Sequence, residues 1–216
     1  MSKIIAVILD VDGVLVDSRE SNVARFQILL EKTGYKKPTR EAVLACFHLD
    51  LRGTIKQLTR SSDEQELDRI IKLAIDGSFR RPDLYKFPVE LKETLESLHQ
   101  NYRLAIVTSR FRSGLDDVLD STDVRHLFNL YVVKEDYDKP KPHPEALLLA
   151  LQKLKVKASE AVYVGDTHVD IEAAKMAGMK SIHLALIKHN DADIGITTFS
   201  EIPNAVAELS GSSAYA

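Results

Sequence analysis

The chain has a single cysteine, Cys46, among its 216 residues. One cysteine excludes an internal disulfide and any zinc site built from several cysteines, and it is typical of a protein from a reducing compartment. The net charge is also small, because 29 basic residues stand against 32 acidic ones. No broad basic face for nucleic acid or for a membrane surface is therefore expected.

The amino-terminal apolar stretch is too short for a signal-peptide core or a membrane span. Residues 1–9 are mostly apolar, but Asp10 and Asp12 follow at once, and neither kind of segment tolerates two acids there. We therefore expect a cytoplasmic protein whose partners are small molecules, with no nucleic acid and no membrane. The length and the 44% share of hydrophobic residues suit one domain of ordinary size, or a core with a modest insertion.

Short apolar runs recur along the chain and predict a parallel sheet. The first, residues 4–9 (IIAVIL), does not alternate with polar residues, so it is typical of a strand that is buried on both faces. Helical spacing between the later runs adds the alternation of strands and helices that indicates a doubly wound α/β fold. The further predicted strands are 103–108, 130–133, 161–165 and 181–184, and the predicted helices between them include 144–154 and 171–177.

The stretch after the first strand breaks this alternation, because it offers only helical patterns. These patterns cover residues 21–32, 40–47, 54–59 and 64–75. About seventy residues without a strand indicate a helical insertion over the strand ends, which we term the cap. The predicted organisation is a Rossmann-like core of residues 1–16 and 86–216, with an all-helical cap of residues 17–85.

Reactive polar groups follow four of the five predicted strands. Because parallel strands bring their carboxyl ends to one edge of the sheet, these groups are expected to meet there. Taken singly, each group has a simpler interpretation, such as a helix cap or a solvated loop lysine. Their joint placement at one sheet edge favours a functional site. The groups are Asp10 and Asp12, Thr108 and Ser109, Lys141, and Asp166 with Asp170.

Several carboxylates in one crevice repel one another and any anionic substrate, so a divalent cation is needed to keep them ionised together. Oxygen ligands favour Mg²⁺ over zinc. The cation and Lys141 would surround a phosphoryl group with positive charge, while Thr108 and Ser109 bind its remaining oxygens. An aspartate can itself be the nucleophile, through an aspartyl-phosphate.

Four short motifs resemble, in order and spacing, those of the haloacid dehalogenase superfamily of phosphohydrolases. They are Asp10-Val11-Asp12-Gly13-Val14, Thr108-Ser109, Lys141-Pro142-His143-Pro144 and Gly165-Asp166-Thr167-His168-Val169-Asp170. The helical insertion looks like the C1 cap of that superfamily, and the pattern is most similar to the phosphoglycolate phosphatase-like enzymes. The resemblance implies an Mg²⁺-dependent phosphatase acting on a small phosphorylated metabolite, as a monomer or homodimer.

The resemblance also implies roles for individual residues. Asp10 would be nucleophile and metal ligand, and Asp12 would be the general acid and base while its carbonyl also binds the metal. Asp166 would complete the metal site, and Asp170 would support the lysine or the metal's waters. Thr108 and the Ser109 backbone would bind phosphate, and Lys141, favoured over Lys139 because it directly precedes the helical run, would bridge nucleophile and phosphate.

Several other functions use similar residue patterns. A β-phosphoglucomutase-type phosphomutase shares the first phosphoryl step, and an inorganic pyrophosphatase has a similar pattern. Asp12 argues against a true dehalogenase, and the insertion argues against a phospho-receiver signalling domain. A non-catalytic binding descendant has no support, since every motif position keeps a competent residue.

Substrate choice is expected to depend on the cap segment 47–54 (FHLDLRGT), where the superfamily places its specificity loop. His48 and Arg52 would there meet a carboxylate or a second phosphate of the substrate. A solvated salt bridge between Asp50 and a basic neighbour is the alternative use of this segment.

Overall fold

The computed structural model describes residues 3–47 and 49–211 of the chain. The chain forms two compact units, one made of Met1–Val16 with Phe87–Ala216 and the other of Asp17–Lys86. In the part of the chain that is described, no helix is both long and apolar enough to cross a membrane.

The first unit is built on a six-stranded sheet in which all neighbouring strands are parallel. This sheet, with helices packed along it, confirms the predicted doubly wound α/β fold. The strands are β1 (Ala6–Leu9), β2 (Arg103–Val107), β3 (Phe128–Val132), β4 (Ala161–Gly165), β5 (Lys180–Leu184) and β6 (Ile194–Ile196). Their order across the sheet is β3-β2-β1-β4-β5-β6, which puts β1 between β2 and β4.

The second unit is helical, as its sequence predicts. Its helices are α1 (Arg19–Lys32), α2 (Arg40–Leu44), α3 (Leu51–Thr59) and α4 (Glu64–Ile75), followed by a short 3₁₀-helix, Pro82–Leu84. Its core joins Val23, Phe26, Leu29 and Leu30 of α1 to Ile55 of α3 and to Leu67 and Ile70 of α4.

Among the described residues, five α-helices accompany the sheet of the first unit. They are α5 (Leu91–His99), α6 (Arg112–Asp120), α7 (Glu145–Leu154), α8 (His168–Met176) and α9 (Ile202–Leu209). Helix α7 packs against β2 and β3, and α8 packs against β4 and β5, while α5 and α9 pack against each other and against β2 and β5 respectively. All four residues of β1 are buried, as expected for a central strand with both faces covered.

Three helix boundaries in the second unit differ from the predicted ones. Helix α1 begins at Arg19 rather than at residue 21. Helix α2 ends at Leu44 rather than at residue 47, and α3 begins at Leu51 rather than at residue 54. The side chain of Asp50 accepts a hydrogen bond from the backbone N–H of Gly53, so it caps α3. Asp50 therefore starts the helix early, in a segment that the sequence pattern leaves irregular.

Candidate active site

Three adjacent strands carry the predicted reactive residues at their carboxyl ends. Asp10 directly follows β1, Thr108 directly follows β2, and Asp166 directly follows β4. The parallel register pairs Leu9 with Ile106 on one side and with Val164 on the other, so the three strands end within one residue of the same level of the sheet. The sheet topology therefore brings these residues to one edge of the sheet, where the sequence pattern predicts them.

A glycine lets the carboxylate of Asp166 lie close to the turn after β1. Gly13 has φ +75°, which an L residue rarely adopts, and a Cβ placed there would collide with Oδ2 of Asp166. The turn after β1 therefore needs glycine for its backbone conformation and for the space that Asp166 fills. Gly165 has a similar steric role, because a Cβ at that position would collide with Cβ of Asp170.

Asp10, Asp166 and Asp170 form a cluster of carboxylates. Each offers one oxygen, and these oxygens lie within 4.8 Å of one another. Oδ1 of Asp10 is buried and has no hydrogen-bond partner among the described residues. A buried carboxylate oxygen is unfavourable without a partner. An oxygen-binding cation at this point would satisfy it, so the residues present fit a Mg²⁺ ion.

Lys141 connects two members of this cluster. Its Nζ lies 3.1 Å from Oδ2 of Asp10 and 2.5 Å from Oδ1 of Asp170, and it donates a hydrogen bond of 3.0 Å to the hydroxyl of Tyr163. Lys139, the other candidate in the sequence, is exposed. The structure therefore places Lys141, and not Lys139, beside the predicted nucleophile.

Lys141 does not compensate the charges of the three carboxylates equally. Burial, reinforced by the charges of Asp170 and Asp12, raises the pKa of Asp10 from 3.8 to about 7 although Lys141 lowers it. Burial and the charges of Asp10 and Asp170 raise the pKa of Asp166 to about 8. Burial also acts to raise the pKa of Asp170, but Lys141 and hydrogen bonds from Lys141 and Thr167 outweigh it and lower that pKa. Asp170 thus holds the lysine more closely, which leaves Asp10 and Asp166 short of positive charge.

This imbalance predicts how the stability of the metal-free protein depends on pH. The folded-state pKa values of Asp10 and Asp166 are above their unfolded values, so the unfolded state binds fewer protons between pH 3.8 and about 8. The free energy of unfolding should therefore fall as pH rises through that window, by up to about 1.4 kcal/mol per pH unit for each group. Thermal melts from pH 6 to 8 without metal should show the Tm falling, and Mg²⁺ should raise the Tm more at pH 8 than at pH 6. A Tm that rises with pH in the wild type would contradict the imbalance.

Thr108 and Ser109 lie where the sequence places them, at the end of β2. Thr108 is buried, and its Oγ1 accepts a hydrogen bond of 3.2 Å from the backbone N–H of Arg110. The hydroxyl still has its proton to donate. Ser109 is exposed at the sheet edge. Tyr137, which no sequence motif singles out, donates from its hydroxyl to the carbonyl of Thr108 at 3.1 Å and so holds this strand end in place.

Asp12 has a partner that no sequence motif predicts. Arg110 donates from Nε to Oδ2 of Asp12 at 2.8 Å and from Nη2 to Oδ1 at 2.6 Å. The carboxylate of Asp12 is therefore held by a two-pronged ion pair and lies outside the cluster of Asp10, Asp166 and Asp170. The only signal in the sequence is that Arg110 directly follows Thr108 and Ser109.

The two predicted substrate residues of the helical unit have different outcomes. His48 lies outside the described residues. Arg52 is in the first turn of α3, where Nη1 binds Oε2 of Glu64 at 2.7 Å and Nη2 binds Asp68. Arg52 is therefore engaged by two acids of α4 and remains 44% exposed, and its contact with substrate stays a prediction.

The fold and the site together define an α/β enzyme that gathers its acids at the carboxyl ends of parallel strands. Residues 7–184 match the family of haloacid dehalogenase-like hydrolases. The chain belongs to this family, which confirms both the predicted resemblance and the prediction of a hydrolase.

Individual relatives agree with this assignment. The chain is 30% identical over 181 residues to the pyrophosphatase PpaX of Anoxybacillus flavithermus, which covers 83% of this chain and 82% of that protein. A HAD-superfamily hydrolase of subfamily IA, variant 1, from Geobacter sulfurreducens is 28% identical with a TM-score of 0.74, covering 94% of this chain and 96% of that one. A predicted phosphoglycolate phosphatase from Haemophilus somnus is 21% identical with a TM-score of 0.81, covering 95% and 99%, and this likeness concerns the fold.

Proposed function

We propose that the chain is an Mg²⁺-dependent phosphatase that hydrolyses a small phosphomonoester of the phosphoglycolate type through an aspartyl-phosphate on Asp10. One observation carries the proposal. Asp10 has one oxygen bound to Lys141 and the other buried without a partner among the described residues, within a cluster of three carboxylates. An acid held in this way is poised for a cation and for an incoming phosphoryl group, and neither a structural nor a solvated aspartate needs such surroundings.

In the first half of the proposed reaction, an oxygen of Asp10 attacks phosphorus. The bond between Asp10 and phosphorus forms while the bond from phosphorus to the leaving oxygen breaks. Lys141 neutralises charge on the transferring group, and the Thr108 hydroxyl with the Ser109 backbone N–H binds its other oxygens. Asp12 donates a proton to the leaving oxygen, so that an alcohol departs rather than an alkoxide.

In the second half, water releases phosphate from Asp10. Asp12, now a carboxylate, accepts a proton from the water as its oxygen bonds to phosphorus, and the bond between phosphorus and Asp10 breaks. The carboxylate of Asp10 and the protonated Asp12 are restored, and inorganic phosphate is the product. One pair of acids two residues apart therefore serves both halves, with opposite proton movements at Asp12.

The oxygens of Asp10 and Asp166 and the carbonyl of Asp12 would hold the metal, with Asp170 supporting Lys141 or the metal's waters. When bound, Mg²⁺ supplies positive charge that keeps these acids ionised beside a phosphate dianion. The pKa values of about 7 for Asp10 and about 8 for Asp166 indicate how much the protein alone lacks that charge.

A phosphate-release screen tests the proposed reaction. The purified chain with Mg²⁺ would be assayed on phosphoglycolate, pyrophosphate, several sugar phosphates and a chromogenic aryl phosphate. Release of phosphate from a small phosphomonoester is the expected result, and no release from any compound would contradict the proposal. A sugar phosphate that is isomerised without phosphate release would instead identify a phosphomutase, in which a sugar hydroxyl replaces water as the acceptor.

Inorganic pyrophosphatase activity is the second candidate. It is favoured by the 30% identity to the pyrophosphatase PpaX over most of both chains. The same residues would carry the reaction, with phosphate as the leaving group. A kcat/KM for pyrophosphate that exceeds those for all phosphomonoesters in the screen would favour this candidate.

Asp12→Asn should slow turnover by about 10²-fold or more, the usual scale for loss of a general acid and base. Asparagine keeps the volume of the side chain but cannot exchange a proton with the leaving group or with water. The loss should be smaller on an aryl phosphate than on an alkyl phosphate, because an aryl leaving group departs with less help. Steady-state kinetics on both substrates test this, and wild-type rates on the alkyl phosphate would refute the assigned role of Asp12.

A further inference from the structure

The ion pair between Arg110 and Asp12 occupies both oxygens of the proposed general acid. Nε and Nη2 of the guanidinium donate to Oδ2 and Oδ1 at 2.8 and 2.6 Å. This is a bidentate ion pair, in which two N–H groups of one guanidinium donate to the two oxygens of one carboxylate. It is the strongest geometry for an arginine–carboxylate pair. In this geometry Asp12 presents no hydroxyl to a leaving group.

Arg110 is the fixed member of this pair. Its third guanidinium nitrogen, Nη1, donates to the carbonyl of Gly114 in α6 at 3.0 Å, and its backbone N–H donates to the hydroxyl of Thr108. The side chain of Arg110 is 12% exposed, whereas that of Asp12 is 43% exposed. If the pair separates, Asp12 can swing toward solvent while the guanidinium keeps its place beside Thr108.

A separated pair leaves a preformed anion site. Nε and Nη2 of Arg110 would point their two N–H groups at the position that Asp12 vacates, and a planar carboxylate or a phosphate fits two such donors equally well. The site lies next to Thr108, a proposed phosphate-binding residue. Because the anion would take the position of Asp12, the proposed acid for the leaving oxygen, it would lie on the leaving portion of the same substrate molecule.

We propose that Arg110 restrains Asp12 until an anionic group on the leaving portion of the substrate replaces it at the guanidinium and so releases Asp12 to act as general acid. This inference rests on the proposed phosphatase function and assigns the residue that recognises the second anion of the substrate. Phosphomonoesters with a second anion, such as phosphoglycolate, bind at Arg110 and release the acid in the same step. Neutral phosphomonoesters leave Asp12 in its ion pair.

Ethyl phosphate and phosphoglycolate are a matched pair for the first test, since they differ only by a methyl group in place of a carboxylate. Arg110→Ala should lower kcat/KM for phosphoglycolate by about ten- to a hundredfold, through loss of a charge-assisted, two-pronged contact. The same variant should keep or increase the rate on ethyl phosphate, because Asp12 is no longer restrained. Arg110→Lys should recover only part of the loss, since an ammonium cannot reproduce the fork.

Arg112→Ala is the control variant. Arg112 is an exposed arginine two positions further along, at the start of α6, and its guanidinium lies 5.7 Å from the centre of the Tyr131 ring. It should behave as the wild type on both substrates. Equal losses on both substrates in Arg110→Ala would overturn the proposal and indicate a structural role for Arg110. A wild type that prefers ethyl phosphate, or an Arg110→Ala variant that keeps its full rate on phosphoglycolate, would overturn it as well.

A second test separates release of Asp12 from simple substrate binding. Methyl phosphate and formate carry the phosphate ester and the carboxylate of phosphoglycolate on two separate molecules. Added formate should therefore raise the wild-type kcat on methyl phosphate by about twofold or more. Arg110→Ala should show no such activation, because its Asp12 is already unrestrained. If formate fails to activate the wild type, the proposed release is wrong even where Arg110 binds the substrate. If the wild type hydrolyses no phosphate ester at all, the proposed function itself fails.

Discussion

Replacing Asp10 with asparagine should reduce turnover to below about 1% of the wild-type rate and abolish any covalent phosphoenzyme. The amide is not a nucleophile toward phosphorus, so the first step has no attacking group. The size of the effect distinguishes a nucleophile from a binding residue, whose loss costs far less. Steady-state kinetics on the best substrate from the phosphate-release screen would measure it.

The fold should survive this substitution. The amide keeps the side-chain volume, and Lys141 retains its closer partner, Asp170, at 2.5 Å. Because burial raises the pKa of Asp10 to about 7, removal of its charge should leave the metal-free protein at least as stable as the wild type at pH 8. Asp138→Asn, at an exposed position in the same unit, is the control. Residual activity clearly above about 1% in Asp10→Asn would show that Asp10 is not the nucleophile.

Removal of divalent metal should have an effect of similar size. Chelation with EDTA should abolish activity, and added Mg²⁺ should restore it, because three clustered carboxylates and one lysine cannot accept a phosphate dianion unaided. The expectation rests on Oδ1 of Asp10, which is buried and without a partner among the described residues. Full activity in the presence of the chelator would contradict it.

A readout that does not depend on activity supports this test. Mg²⁺ should raise the Tm of the wild type but raise it much less in Asp166→Asn, which removes one proposed ligand and one acid whose pKa is raised to about 8. Asp138→Asn should respond to Mg²⁺ as the wild type does. An equal Tm shift in all three proteins would place the metal elsewhere.

The central strands and their reactive ends can be predicted because several local signals agree. The apolar run before Asp10 does not alternate, Gly13 permits the turn, and parallel strands order their ends without any knowledge of side-chain contacts. Strand β6 is not predicted, because Ile194–Ile196 has only three residues with glycine in the middle, which gives too short a pattern. Strand β3 begins at Phe128, two residues before the predicted start, since Asn129 interrupts the apolar pattern.

Other site residues are not predicted from the sequence, because no local pattern in the sequence shows their contacts. Arg110 and Asp12 are 98 positions apart, so nothing local in the sequence pairs them. Tyr163 is predicted only as part of an apolar strand, yet its buried hydroxyl accepts a hydrogen bond from Lys141 and donates to the carbonyl of Val107 at 3.2 Å. A tyrosine inside an otherwise aliphatic strand is the signal that could draw attention to it, because a buried hydroxyl usually has a partner.

Arg52 illustrates the same limit in the helical unit. Its partners Glu64 and Asp68 lie on α4, twelve and sixteen positions away, and they come together only through the packing of α3 against α4. The sequence suggests a salt bridge of Asp50 in this segment, whereas Asp50 caps α3. Ion pairs between helices depend on the angle at which the helices pack, and periodicity carries no information on that angle.

Trapping of the phosphoenzyme tests the central claim most directly. On an aryl phosphate, whose leaving group departs with little help from an acid, Asp12→Asn should accumulate the intermediate, because release of phosphate needs a base to accept the proton of water. Acid quenching of this variant during turnover, followed by mass spectrometry of its peptides, should locate one phosphoryl group on Asp10, and the same group should be absent from Asp10→Asn. A phosphoryl group on any other residue, or turnover with no phosphoenzyme in the quenched wild type and Asp12→Asn proteins, would contradict the aspartyl-phosphate mechanism.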